Sequence, residues 1–463
     1  MLSLKEVFFR LSRSAVSWSW VMNGLRLTSG VVVLPLLVLK LSKPDYDMYF
    51  VFLSLTALVP ILDLGFAVSI GRAVTYAMGG ATKLQAMGLV AQQVKARPNQ
   101  TMLWQLLHTT RHLYRLLSLG VLLLVGLGGT LFIRHAVPQT SYPGITWAAW
   151  TITLTAIVWE IYSSWWNVFL RNMDRVLAST QQTVVAQLVK LILTCGFLLG
   201  GAGLLSVPVA AILSSFLQRF LARREVLRLL EKSSDPGGNS ADVKTMLATL
   251  WPNSWRIGVH FLSGYLAGQA NTLICLPLLG LSASGKYGFS LQLIYICSGM
   301  AQVWTAVKWP AIGQLRIKQD QVALRRLLWP RLWLQYLTYG ALVSGIVLTI
   351  PALLRWHQSD KALLPGLWLS LLALNGLLEL NCIFWSTLIS MENRLPMVWP
   401  TLLSNVVSFF VIVILVKTTD LGLASFVIAP LSVGILFNYW KWPQEGARSI
   451  GTSWRRFLLN RPH

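Results

Sequence analysis

Charge is scarce in this 463-residue chain: Asp, Glu, Lys and Arg together make up 12% of it, about half the share of a soluble protein. Acids are scarcer still, 16 against 39 Lys and Arg. There are four cysteines, Cys195, Cys275, Cys297 and Cys382, all inside apolar runs and none at metal-ligand spacing. That excludes a disulfide framework and a Cys-based zinc site, and the four read as small buried apolar residues. No Walker A loop, HExxH or GxSxG occurs, and no His/Asp cluster of metal-binding type. ATP is therefore not expected to drive the chain directly, and neither metalloprotease nor serine-hydrolase chemistry is indicated. The chain is read as a non-enzyme with no cofactor. The N-terminal MLSLKEVFFRLSRS leads into a long apolar run with no A-x-A-like site, so no cleaved signal is expected.

Apolar residues are abundant, at 55%, and mean hydropathy is +0.59. They cluster into runs of about 20 residues, the length that crosses a bilayer core as a helix. The expectation is an all-α polytopic membrane protein of twelve transmembrane helices. The first six spans lie near 15–39, 47–70, 113–134, 147–170, 179–200 and 202–221, the second six near 252–279, 286–307, 331–352, 364–389, 396–416 and 419–438. The net charge of +23 would suit a phosphate-rich partner, but its distribution argues against nucleic acid. If the N-terminus is cytoplasmic and the loops alternate, cytoplasmic segments hold thirty of the 39 cations and external ones seven; only Arg26 and Lys190 lie deep within spans. Both termini are therefore expected on the cytoplasmic side.

Two echoes divide the chain. Glu160, Trp166 and Arg175 match Glu379, Trp385 and Arg394 at an offset of 219, and Leu34-Pro35-Leu36-Leu37 matches Leu276-Pro277-Leu278-Leu279. Both run in the same direction, and each half has an even number of spans. That combination implies parallel repeats about an axis along the membrane normal, two pseudo-twofold-related six-helix lobes. The expected division is 1–221 for the first lobe, 222–250 for a cytoplasmic linker with an amphipathic helix, and 251–463 for the second lobe with its basic tail. The linker, and surface helices expected at 82–112 and 313–328, would rest on anionic membrane lipids.

Several stretches carry a resemblance. Span 1 into span 2 reads LRLTSGVVVLPLLVLKLSKPDYDMYFVFLSL; LDLGFAVSIGR holds Asp63, Gly65 and Arg72; RNMDR follows span 4 and WPAIGQLR follows span 8. In these the chain resembles the multidrug/oligosaccharidyl-lipid/polysaccharide (MOP) exporter superfamily, and within it the polysaccharide flippase branch, the Wzx-type transporters of O-antigen and capsule units. The resemblance implies a MATE-like two-lobed transporter in the bacterial inner (cytoplasmic) membrane, serving surface polysaccharide and lipopolysaccharide biosynthesis. Its cargo would be an undecaprenyl-pyrophosphate-linked oligosaccharide, moved through a cationic cavity by alternating access coupled to an ion gradient, H⁺ or Na⁺. Polysaccharide polymerase or assembly proteins would be its partners.

A pyrophosphate crossing an apolar layer needs cations and hydrogen-bond donors along its path. Arg26, about 17 Å into span 1 at helical rise, is the leading candidate, with Asn23 beside it; the alternative is snorkelling or pairing with a buried acid. Arg256 and His260 begin span 7 one turn apart, with Gln269 and Asn271 deeper; an interfacial anchor and a structural histidine are the plain readings of the first two. Glu160, Glu379 and Lys190 sit near mid-depth. Glu160 and Lys190 are read by default as an ion pair, whereas Glu379, with no evident cation in the next span, is the better candidate for a coupling carboxylate. Asp63 and Arg72 flank the cytoplasmic end of span 2, as a gate or an interhelical clasp. Most of the 21 tryptophans, Trp147 and Trp150 among them, map near span ends as an interfacial belt predicts, whereas the deeper Trp165, Trp166 and Trp385 either pack or stack on sugar rings. A multidrug or cation antiporter of the MATE branch would want an acid in span 1, which has none. An envelope-polysaccharide membrane enzyme would want a large external loop, and 135–146 and 353–363 are short.

Overall fold

The computed structural model describes residues 15–81, 98–230, 240–317, 319–391 and 396–459. Helices account for the regular structure of these residues, and no strand occurs among them. That follows from the composition, because a helix satisfies its own backbone hydrogen bonds where lipid offers no partner. In chain order the helices are α1 (Ala15–Lys40), α2 (Lys43–Thr56), α3 (Val59–Leu62), α4 (Phe66–Met78), α5 (Gln100–Ile133), α6 (Pro143–Ser163), α7 (Trp165–Asn172), α8 (Val176–Leu199), α9 (Ser206–Leu230) and α10 (Ser240–Ala267). They continue as α11 (Gln269–Leu279), α12 (Leu281–Ala306), α13 (Trp309–Ile317), α14 (Gln321–Trp356), α15 (Gly366–Ser390), α16 (Val398–Thr418), α17 (Ser425–Leu436), α18 (Asn438–Arg448) and α19 (Trp454–Leu459).

Ten helical stretches among the described residues are long and apolar enough to cross a membrane. They coincide with ten of the twelve expected spans. The other two are helical as well: span 7 breaks at Gly268 into α10 and α11, and span 8 is the unbroken but more polar α12.

The chain forms two compact units. One comprises residues 1–46 and 55–262, the other residues 47–54 and 263–463. The division thus falls inside α2 and α10. Residues 222–230 prolong α9, burying Ala222, Val226 and Leu230 along one face, and do not form a separate surface helix. The expected surface helices fare similarly: residues 100–112 open α5, 82–97 lie outside the described residues, and 313–328 are divided between α13 and α14.

In the first unit α8 packs against α1 and α9, while α6 packs against α5 and α9. The α3–α4 turn shows how tightly it closes on α10. Leu64 and Gly65 both have positive φ, 51° and 75°. A Cβ at Gly65 would collide with Ser254 O and Ile257, and one at Gly258 would lie 3.1 Å from Leu64 Cα. Ser254 Oγ also bonds Ser69 Oγ at 2.8 Å. In the second unit α12 packs on α14, α11 and α15, and α15 on α17 and α18. A further core of this unit joins Ile312, Leu324, Leu328, Leu332, Trp385, Ile450 and Phe457. All four cysteines are free, with Cys275 and Cys297 buried.

The 219-residue offset is structural as well as textual. The 3₁₀ turns Gly203–Leu205 and Gly422–Ala424 lie at that spacing, and the helices after them start at Ser206 and Ser425. Each half therefore ends in the same three-helix arrangement, α6–α8–α9 and α15–α16–α17/α18. The helix N-caps Asn99 and Asp320, whose side chains accept from Met102 N and Ala323 N, set a second offset of 221 between α5 and α14.

Candidate functional site

In the second unit, α12, α15 and α17 enclose a cavity of about 220 Å³, room for several waters at about 30 Å³ each. Its acid is Glu379, near the middle of α15. Tyr287, Tyr295, Ser298, Gln302 and Asn375 are the other polar side chains that shape it, against Leu372, Ile383 and Phe426. Glu379 Oε1 accepts from Asn375 Nδ2 at 3.0 Å, one turn earlier on the same helix. Asn375 Oδ1 in turn accepts from Tyr439 OH at 2.7 Å. The carboxyl is thus held by a neutral relay, and no Lys, Arg or His among the described residues pairs with it.

The equivalent acid of the first unit is in a different state. Glu160 Oε1 pairs with Arg219, on α9, and Oε2 accepts from Ser215 Oγ at 2.9 Å. Arg219 is largely buried, with its side chain 8% exposed. The direct contact is with Arg219 and not with the expected Lys190, which nonetheless stays within electrostatic range of Glu160. Lys190 lies on α8, the next span in sequence, but the packing of α9 on α6 turns Arg219 toward the carboxylate instead.

The other expected site residues are dispersed. Arg26 falls in α1, but its side chain lies outside the described residues; Asn23 is half-buried on the same helix. Arg256 and His260 are both exposed on one face of α10, Arg256 lying 5.7 Å from the centre of the Trp255 ring. Gln269, in the second unit, takes a hydrogen bond from Ser54 Oγ at 3.1 Å, and buried Asn271 reaches Tyr287 OH at 3.4 Å. Arg72 is exposed on α4. Asp63 is buried, its Oδ1 bonded to Tyr114 OH and its Oδ2 accepting from Ala67 N at 2.9 Å, so it joins the α3–α4 turn to α5. Arg394, third member of the sequence echo, lies outside the described residues. Trp385 is fully buried against Phe384 and Phe457, with its indole N–H on Asn381, which is packing. Trp165 and Trp166 stack on one another with centroids 3.9 Å apart. Trp150, expected in an interfacial belt, is buried with its N–H on Thr130 Oγ1 at 2.8 Å.

Known structures align with nearly the whole chain. An inward-facing multidrug-resistance MATE-family transporter of the MOP superfamily superposes with a TM-score of 0.64 over 93% of this chain and 96% of that one, at 14% identity. The fold is MATE-like. An outward-facing structure of such a transporter gives 0.56 over 96% and 99%, at 15% identity. A MOP-superfamily transporter from Pyrococcus furiosus, described as having a binding pocket of reverse polarity that suggests a different function, gives 0.56 over 97% and 98%, at 14% identity. In sequence comparisons, no family model matches the chain and no curated protein matches it.

Proposed function

We propose that this chain is a flippase of the bacterial inner membrane. It moves an undecaprenyl-pyrophosphate-linked oligosaccharide from the inner to the outer leaflet by ion-coupled alternating access, for surface polysaccharide biosynthesis. The observation that carries the reading is the sign of the charge in the first span. Helix α1 has Arg26 as its one charged residue before the terminal Lys40 and has no acid. A cation there suits a pyrophosphate, whose oxygens a guanidinium can pair bidentately, and would repel a cationic drug. Arg256 and His260 add cationic capacity at the start of span 7, and Asn23, Gln269 and Asn271 offer further hydrogen-bonding groups. The cation-rich balance of +23 fits the same cargo.

Glu379 is the coupling carboxylate in this reading. An acid in the middle of a span is costly unless it does work or is neutralised, and Glu379 faces a cavity with neutral partners only. Glu160 with Arg219, and Asp63 with Tyr114, hold helices together; Lys190 and Arg72 supply further cations.

The deciding experiment uses a strain in which this chain is the sole flippase for its surface polysaccharide. Arg26→Ala abolishes surface polysaccharide while leaving the protein in the membrane, and Arg26→Lys retains part of it. Wild-type polysaccharide in the Ala variant removes Arg26 from the mechanism. Loss of resistance to cationic drugs, with polysaccharide unaffected, would assign the chain to multidrug antiport instead.

A further inference from the structure

Glu160 and Glu379 hold the same place in two copies of one three-helix arrangement, and opposite chemistry surrounds them. We infer that a change of residues at equivalent positions, chiefly Asn438 where the first half has Arg219, keeps Glu379 an exchangeable carboxyl, open to a proton or a monovalent cation, while Arg219 closes Glu160 to both. This rests on the reading of Glu379 as the coupling acid and names what makes it one.

The equivalence is fixed by the offset of 219. Ser215 and Arg219, one turn apart on α9, both reach Glu160. Their counterparts are Gly434 and Asn438, so both partners are gone from the second half. Asn438 also sits just past a break: Phe437, between α17 and α18, has φ −142° and ψ −61°, whereas α9 runs unbroken through the same point. Its side-chain oxygen is occupied by Trp442 Nε1 at 2.9 Å.

What replaces the ion pair is built from two further changes. Tyr439 stands where the first half has Phe220, and Asn375 where it has Ala156. The Tyr439 ring lies directly over Gly434, where any Cβ would collide with it. Loss of the serine is thus what admits the tyrosine, whose hydroxyl then completes the chain Tyr439–Asn375–Glu379. The Tyr, Cys and Asn groups around Glu379 are neutral: Tyr287 and Tyr295 on α12, Tyr339 on α14, Tyr439 on α18, and Cys382 and Asn375 on its own helix. Only Oε1 has a hydrogen-bond partner among the described residues, leaving Oε2 for an incoming ion. At Glu160 both oxygens are taken, and a cation would have to displace a buried guanidinium.

Dicyclohexylcarbodiimide adds to carboxyl groups that can hold a proton in apolar surroundings and passes over ion-paired ones. The full-length protein, in detergent and sodium-free mildly acidic buffer, is treated with it and each glutamate read by peptide mass spectrometry. The expected result is an adduct on Glu379 at about tenfold or more the level on Glu160, whose carboxylate the guanidinium of Arg219 holds. Asn438→Arg supplies the missing cation and lowers the Glu379 adduct by a similar factor, while Tyr439→Phe, which changes no charge, keeps it. Arg219→Asn/Lys190→Gln, which removes both cations near Glu160, brings that acid up to reactivity where it folds. Equal labelling of both acids, no labelling of either, or a Glu379 adduct unmoved by Asn438→Arg overturns the inference. Labelling as expected, with surface polysaccharide unaffected by Glu379→Gln, upholds it and removes the coupling role from the proposed function.

Discussion

Tyr114 and Asp63 are joined by a buried hydrogen bond from the phenol to the carboxylate, and the second unit has its counterpart in Thr305, whose hydroxyl donates to Gln335 Oε1 at 3.1 Å. The spacing of the two LPLL segments carries Asp63 to Thr305, and the spacing of the caps Asn99 and Asp320 carries Tyr114 to Gln335. One helix-to-helix tie is therefore made twice, once with a carboxylate and once without.

The two ties differ in strength. Tyr114→Phe leaves the Asp63 Oδ1 buried without its donor and should cost about 1–3 kcal/mol, whereas Thr305→Val, at a neutral pair, should cost about 1 kcal/mol. Thermal unfolding of the purified protein in detergent reads both, and a larger loss at Thr305 would contradict the ranking.

Gly65→Ala meets two obstacles at once, a positive φ and the backbone oxygen of Ser254. Left-handed strain alone costs about 1–2 kcal/mol, and the α3–α4 turn must also move off α10. The expected outcome is a sharp fall in monodisperse protein on size-exclusion chromatography. Gly24→Ala, where nothing lies within 4 Å of the new carbon, serves as the neutral comparison.

Glu160→Gln strands a guanidinium that is largely buried. Discounted for the partial exposure of the acid, the loss should be about 2–3 kcal/mol. The double variant Glu160→Gln/Arg219→Met should recover much of it, since it removes the orphaned charge. A double-mutant cycle on melting temperatures checks this, and additive losses would mean that the pair does not couple.

The distribution of Lys and Arg predicts cytoplasmic termini. A green fluorescent protein fused after His463 should fluoresce, and alkaline phosphatase at the same point should be inactive. Fusions of the phosphatase after Leu199 or after Thr418, ahead of the two 3₁₀ turns, should be active.

Much of the framework was legible in the sequence. Apolar runs of membrane length placed the twelve expected spans on helices, ten of which are long and apolar enough to cross a membrane, and one repeated Glu-Trp pattern gave an offset that the 3₁₀ turns obey. The partners of the acids were not legible in the same way. Lys190 looked like the mate of Glu160 because their spans are consecutive, but which cation arrives depends on how α9 is rotated against α6, and hydropathy carries no record of rotation. Glu379 was singled out as the acid without a cation in the following span; Asn375 and Tyr439, which hold it, were missed. The signal was present: the offset of 219, carried past Arg394, lands on Asn438 and Tyr439. Trp150 misled for a related reason, since position near a span end says nothing about which way the indole faces.

Helix α14 runs unbroken for 36 residues, or about 54 Å at helical rise, against a hydrocarbon core of about 30 Å. Its first turns bury Leu324, Leu328 and Leu332 in a core with Ile450 and Phe457. One continuous helix thus crosses the membrane and reaches a platform beyond it, with Pro330 and Pro351 as its two points of bending. Tilting a helix of this length by about 10° swings its tip sideways by about 9 Å. Small rearrangements at bilayer depth are in this way magnified at the aqueous surface, where a probe attached beside Arg326 would register them without touching the transport path.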